Sequence, residues 1–116
     1  MKKTKEDLPV KINEKMRGGE GSVRVETMLT PEEMHNKGRL YARLTIMQGS
    51  SIGYHVHERE TETFLVLSGS GEYSDNGVIT DVCAGDVLYT PEGSGHSIKN
   101  KSGSEELVLI ALILGA

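Results

Sequence analysis

Alternation of apolar and polar positions runs through most of this chain and predicts strands. Over residues 22–29, Val23, Val25 and Thr27 alternate with Arg24, Glu26 and Met28, the two-residue period of a half-buried strand. Residues 39–47 repeat the pattern, with Leu40, Ala42, Leu44 and Ile46 on one face and Tyr41, Arg43 and Thr45 on the other. Residues 63–67 form a further β-rich run. Asp75-Asn76-Gly77 is the strongest hairpin signal, because Asn-Gly accepts the positive φ angles of a tight turn. It predicts that residues 71–74 pair with 78–82. A short strand over 86–90 is punctuated by Gly85 and Pro91. Residues 107–114 are apolar on both faces, so this last strand needs cover on both sides.

Helix signals are few. Thr30-Pro31-Glu32-Glu33 has the form of a capping box with proline at the first helical position, and predicts one short helical turn ending near Gly38. The first 21 residues are polar and end in Gly18, Gly19 and Gly21, which reads as an arm that is ordered only if it docks. The expected organisation is therefore an N-terminal arm over 1–21 and one β domain over 22–116. Many short strands, 14 glycines and almost no helix indicate an all-β sandwich or barrel.

Composition narrows the function classes. At 116 residues the chain is one domain, able to bury roughly 65% of its unfolded surface. A net charge of -4 gives no global attraction to phosphate backbones, and 4% aromatics leave little for base stacking, so no nucleic-acid partner is expected. Residues 1–9 carry lysines with no apolar run behind them, unlike a secretory signal. The longest apolar run has eight residues against the roughly 20 of a membrane span, so no membrane partner is expected and the default compartment is the cytoplasm. The single cysteine, Cys83, reads as a small buried or half-buried residue rather than a nucleophile.

The candidate chemistry lies in two segments. Side chains at i and i+2 of a strand share a face, so His55 and His57 project together. A four-residue turn then returns Glu62 on what is expected to be the partner strand. Two imidazoles and a carboxylate converging in a barrel suit a divalent metal. His96, which follows the Pro91-Glu92-Gly93 turn, could enter the same cavity from another strand. Phe64 and Val66 share the parity of Glu62 and should line the pocket with Tyr54. Leu65 and Leu67 then face outward and need cover. With the C-terminal strand, this favours a homodimer of packed sheets. Tyr41, Arg43 and Tyr89 are further polar groups that could stand behind the ligands, although Leu40, Ala42 and Leu44 have the stronger claim to the interior. Glu58 and Glu60 read as loop residues, and His35 as a surface residue.

The two segments resemble the motifs of the cupin family. Gly49, His55, His57, Glu62 and Gly69 fit the first motif, and Gly85, Pro91, Gly93, His96 and Asn100 fit the second, in the right order and at the family's spacings. The resemblance covers about 39–114 and implies a double-stranded β-helix, or jelly-roll barrel. Carried over position by position, it implies that His55, His57, Glu62 and His96 hold one divalent transition metal (Mn, Fe, Ni, Co, Cu or Zn), with Asn100 structural. It also implies a small-molecule ligand or substrate. The favoured function is a metal-dependent enzyme acting on a small oxygen-rich or carboxylated molecule (dioxygenase, decarboxylase, isomerase or lyase type); the alternative is a non-catalytic binding or sensory module.

Overall fold

The computed structural model describes residues 1–115 and contains ten strands among them. These are β1 (Val10–Glu14), β2 (Ser22–Leu29), β3 (Gly38–Ile46), β4 (Ser51–Val56), β5 (Glu60–Ser68), β6 (Ser70–Asp75), β7 (Val78–Cys83), β8 (Val87–Thr90), β9 (Gly95–Lys99) and β10 (Leu107–Gly115). They form a six-stranded sheet in the order β1-β2-β3-β10-β5-β8 and a four-stranded sheet in the order β4-β9-β6-β7. The ladders are antiparallel. This is an all-β fold, as the strand pattern predicts, and its two packed sheets form the jelly roll that the cupin resemblance implies. The last residue of the expected domain, Ala116, lies outside the described residues.

The core fills the space between the sheets. Val23, Ala42, Leu44, Ile46, Phe64, Val66, Ile98, Leu107, Leu109 and Ala111 are all essentially inaccessible to solvent. The parities read from residues 39–47 and 63–67 hold: Ala42, Leu44 and Ile46 face in, while Tyr41 and Arg43 face out. In β10 one face, Leu107, Leu109, Ala111 and Ile113, is buried, and the other, Val108, Ile110 and Leu112, is half-buried on the outer face of the six-stranded sheet. Beside it on that face, Leu65, Leu67, Val87 and Tyr89 are exposed.

Two local expectations change. The segment after Thr30 makes its capping box, with Thr30 N–H donating to Glu33 Oε1 at 3.0 Å and Glu33 N–H to Thr30 Oγ1 at 3.2 Å. It ends after one hydrogen-bonded turn because His35 and Asn36 adopt left-handed backbone, at φ 55° and 56°. Among the described residues the helical elements are instead two 3₁₀ turns, Lys5–Asp7 and Met16–Gly18. Cys83 is exposed, not buried, since it ends the edge strand β7. Residues 1–21 dock: β1 pairs with β2 in register Lys11↔Val25 and Asn13↔Val23, adding an edge strand to the larger sheet.

Asn100 closes the barrel end. Its Nδ2 donates to the carbonyls of Ile46 (3.0 Å) and Glu105 (2.8 Å), and its Oδ1 accepts from Ser102 N–H. A fully buried amide with these partners is a structural residue. No helix among the described residues is long and apolar enough to cross a membrane.

Candidate metal centre

β4 carries His55 and ends at Val56, with His57 immediately after it. The His57 N–H donates to Ser94 O (3.1 Å), and its carbonyl accepts from Gly93 N–H (2.8 Å). These bonds fasten the end of β4 to the turn that precedes β9. That turn needs Gly93, whose φ of +83° is poorly accessible to other residues. It delivers His96 into β9 directly opposite His55 in the β4–β9 ladder. Glu62 arrives differently from the sequence expectation. β5 is not the partner of β4; it lies in the opposite sheet, between β10 and β8. The chain crosses between sheets after His57, through Arg59 at φ 61°, and Glu62 faces the histidines across the interior. The i, i+2 rule gives the His pair correctly but cannot distinguish a hairpin from a sheet-to-sheet crossover.

The donor atoms of His55, His57, Glu62 and His96 converge within 4.8 Å of one another. The Nε2–Nε2 separations are 3.1 Å (His55–His57), 3.1 Å (His57–His96) and 3.2 Å (His55–His96). Glu62 Oε1 is 2.8 Å from His57 Nε2, 2.9 Å from His96 Nε2 and 4.0 Å from His55 Nε2. Two donors about 2.1 Å from one ion lie about 3.0 Å apart at a right angle and about 4.2 Å apart when opposed; a tetrahedron would require about 3.4 Å. The five short separations match edges of an octahedron and the long one approaches its diagonal. The donor set therefore fits a six-coordinate divalent ion.

The far side of each ring explains why the Nε2 atoms face inward. His55 Nδ1 lies 2.8 Å from the Gly53 carbonyl, which can only accept, so Nδ1 carries the proton. His57 Nδ1 lies 2.9 Å from Glu60 Oε1. A bidentate hydrogen bond from Arg39 (3.0 and 2.8 Å), opposed by partial burial and assisted by His57, holds the Glu60 carboxyl down at about 2. It is thus an ionised acceptor at neutral pH, and His57 Nδ1 must also be the donor. His96 Nδ1 lies 2.8 Å from Thr90 Oγ1 and 3.2 Å from the Tyr73 hydroxyl, which is itself 2.9 Å from Thr90. Burial raises the Tyr73 phenol, keeping it protonated. Phe64 stacks on the His96 ring with centroids 5.1 Å apart and planes 13° apart. With Nδ1 carrying the proton, the unprotonated Nε2 lone pairs that metal binding requires would face each other at 3.1 Å, an arrangement that a cation relieves. Burial holds the His55 ring below the ordinary imidazole range, with the Gly53 bond opposing and the charges of His96, His57 and Arg17 adding to the depression. A low value favours the neutral, ligating form.

A cavity of about 300 Å³ opens beside His55, His57 and Glu62. Phe64 lines it, as expected from parity. Val66 does not: it is 1% exposed and lies deeper in the core. Tyr54 projects from the other face of β4, is 51% exposed and covers Gly95. Tyr41, Arg43 and Tyr89 are likewise on outer faces, for the same reason of alternation. The supporting tyrosine is Tyr73, which shares the face of Asp75, the residue opposite His96 in the β6–β9 ladder, a long-range pairing that the sequence does not display. Glu60 has the appearance of a loop residue in sequence, and nothing local marks its pairing with Arg39, 21 residues away. Replacing Glu60 with Gln removes the charge that fixes His57, and should weaken divalent-ion affinity about tenfold, measured by competition with a chromogenic chelator. Unchanged affinity would deny Glu60 this positioning role.

A family model described as "Cupin domain" matches residues 42–113, most of the barrel. The chain belongs to the cupin family. Among its relatives, this cupin is 43% identical over 112 residues to the "Oxalate-binding protein" of Thermotoga maritima, an alignment covering 97% of this chain and 91% of that one. A crystal structure of a predicted oxalate decarboxylase from the same organism superposes with a TM-score of 0.94 at 40% identity, covering all of both chains. The Cnp3 cupin domain of Schizosaccharomyces pombe shares the fold, with a TM-score of 0.74 at 16% identity over 92% of this cupin and 69% of that chain.

Proposed function

We propose that this cupin holds one divalent transition metal (Mn, Fe, Ni, Co, Cu or Zn) on His55, His57, Glu62 and His96. With it the protein binds a small oxygen-rich or carboxylated molecule, foremost an oxalate-like dicarboxylate. The observation that carries this reading is the convergence of three Nε2 atoms and Glu62 Oε1 at separations suited to one ion. The names of the Thermotoga maritima relatives support the choice of ligand. A bound ion would supply Lewis acidity toward a carboxylate oxygen. The chain's own contribution is to orient the rings through Gly53, Glu60 and Thr90, and to wall off the His96 side with Phe64 and Tyr73.

Turnover separates two readings. A decarboxylase or other metal-dependent enzyme needs a group that moves protons at the cavity. The lining has no tyrosine or cysteine, its carboxylate is the ligand Glu62, and the nearby Glu60 is committed to Arg39 and His57, which leaves Lys11 at the solvent side as the remaining candidate. With no free carboxylate, tyrosine or cysteine at the cavity, binding without turnover is the favoured reading. Calorimetric titration of metal-loaded protein with oxalate should give saturable binding that disappears after chelation, with no formate or CO₂ released on prolonged incubation. Failure to bind small carboxylates in the loaded state would refute the ligand reading, and steady formate production would favour the enzyme.

The apolar outer face of the larger sheet supports a homodimer. Ile110 lies between Leu65 and Arg43 in register, and Leu65 is followed by Val87. On the same face Glu26 is buried opposite Arg43, yet its Oε2 has no hydrogen-bond partner among the described residues; Arg43 Nη1 is 3.7 Å away. A second copy would cover the apolar row, whereas the Glu26 oxygen, already covered within the chain, faces Arg43 and Arg24 of its own sheet. Sedimentation should give a dimer that Leu65→Lys dissociates, and a wild-type monomer at tens of micromolar would contradict this.

A further inference from the structure

Part of the cavity wall does not come from the metal-bearing strands. Lys11, Asn13, Met16 and Arg17, all in the N-terminal segment, line it together with His55, His57 and Glu62. In β1 the alternation directs Lys11 and Asn13 to the inner side, opposite Val25 and Val23 of β2. Beyond β1, the 3₁₀ turn Met16–Gly18 is fastened to β4. Ser51 N–H donates to Glu20 O, and Glu20 N–H donates to Ser51 Oγ, both at 2.9 Å. The two backbones approach so closely that a Cβ on Gly53 would collide with the Arg17 carbonyl and the Gly19 nitrogen. Gly53 is also the residue whose carbonyl orients His55. The segment is thus seated against the strand that presents the ligands.

Two features of this segment bear on what the cavity can hold. Lys15 and Arg17 both adopt left-handed backbone, at φ 50° and 54°, a conformation that is costly for residues with a Cβ and that glycine would adopt freely. An arginine at position 17 therefore costs the fold conformational energy. In addition, neither Lys11 nor Arg17 has a carboxylate within ion-pair distance among the described residues, whereas Arg39, the third cation of the cavity, is committed to Glu60. The cavity has two uncommitted cations at its solvent-exposed side and the donor cluster at its inner side.

We propose that Lys11 and Arg17 form the anion-recognition wall of the cavity, taking the outward oxygens of a small dicarboxylate whose other oxygens lie at the His–Glu cluster. The N-terminal segment, rather than the barrel, then sets the preference for a dianion over a monocarboxylate. The inference rests on the carboxylate-binding reading above and adds the residues that select the ligand. Both cations act through charge-assisted hydrogen bonds, for which Arg17 offers a planar fork and Lys11 a point charge.

The test uses the full chain loaded with Mn²⁺ and titrated calorimetrically with oxalate and, separately, with acetate. Arg17→Gln and Lys11→Gln should each weaken oxalate binding about tenfold, and the double variant should lose more, while acetate affinity changes less than about twofold. Mn²⁺ affinity should remain at the wild-type value in each variant. Arg17→Gly separates recognition from folding: it should lose oxalate affinity like the Gln variant yet melt no earlier than wild type, because it relieves the left-handed backbone. Wild-type oxalate binding that all four variants retain would overturn this proposal alone. Absence of oxalate binding by the loaded wild type would overturn both it and the carboxylate reading.

Discussion

His96→Ala should emerge from chelator-free purification folded, but with divalent-ion affinity lowered at least about 100-fold. A four-ligand protein site binds with roughly 10–16 kcal/mol at neutral pH, so one ligand accounts for about 3 kcal/mol, which is two orders of magnitude. The loss should be at the high end here, because His96 Nε2 lies within about 3 Å of each of the other three donors: 3.1 Å from His57, 3.2 Å from His55 and 2.9 Å from Glu62. The fold should survive. β9 is held by backbone ladders to β4 and β6, and the orphaned Thr90 and Tyr73 hydroxyls still bond to each other at 2.9 Å. Elemental analysis and far-UV circular dichroism on the same sample check both halves. Native metal content in the variant would remove His96 from the centre.

Phe64→Ala should destabilise the protein by roughly 3–5 kcal/mol, the cost of emptying a large core position that cannot collapse. Phe64 is 2% exposed and touches both regimes of the molecule, the apolar core on one side and the His96 ring on the other. That cost is a large part of the roughly 5–15 kcal/mol that holds a domain folded, so the melting midpoint should fall by more than 10 °C. Phe64→Leu separates the two roles. It retains most of the volume, so stability should fall by less than about 1.5 kcal/mol, whereas the stacked surface that fixes His96 is lost and metal affinity should drop severalfold. Chemical denaturation and metal competition on both variants read the two effects independently. Equal metal affinity in wild type and Phe64→Leu would mean that Thr90 and Tyr73 alone orient His96.

Much of the fold was legible because the strand period is short and the core faces are clean. Residues 39–47 state their inward face directly, and Asn76-Gly77 fixes one hairpin register, whereas 107–114, apolar on both faces, shows its inward face only in the barrel. Of the site, the donors were legible because two motifs constrain their spacing. What supports them was not, for two physical reasons. Periodicity within a strand says nothing about which sheet the next strand joins, so Glu62 was expected beside the His pair rather than across from it. The groups that fix the rings, Glu60 with Arg39 and Thr90 with Tyr73, are pairs of residues far apart in the chain whose meeting depends on the closed barrel. Tyr54 illustrates the converse: adjacency to His55 in sequence puts it on the opposite face of the strand. The polar segment before residue 22 lacks the apolar strength of a core strand, yet β1 pairs along β2 and brings Lys11 to the cavity.

The ring nitrogens provide the most direct test, because the account requires a specific tautomer at His55 and His57. Histidine-labelled protein, stripped of metal and then titrated with Zn²⁺, should be followed by long-range ¹H–¹⁵N correlation spectra. The account predicts protons on Nδ1 of both rings before and after titration, and a joint shift of the Nε2 signals of His55, His57 and His96 that saturates at one ion per chain. A proton on Nε2 of His55 or His57, or Nε2 signals that ignore every divalent ion offered, would contradict it.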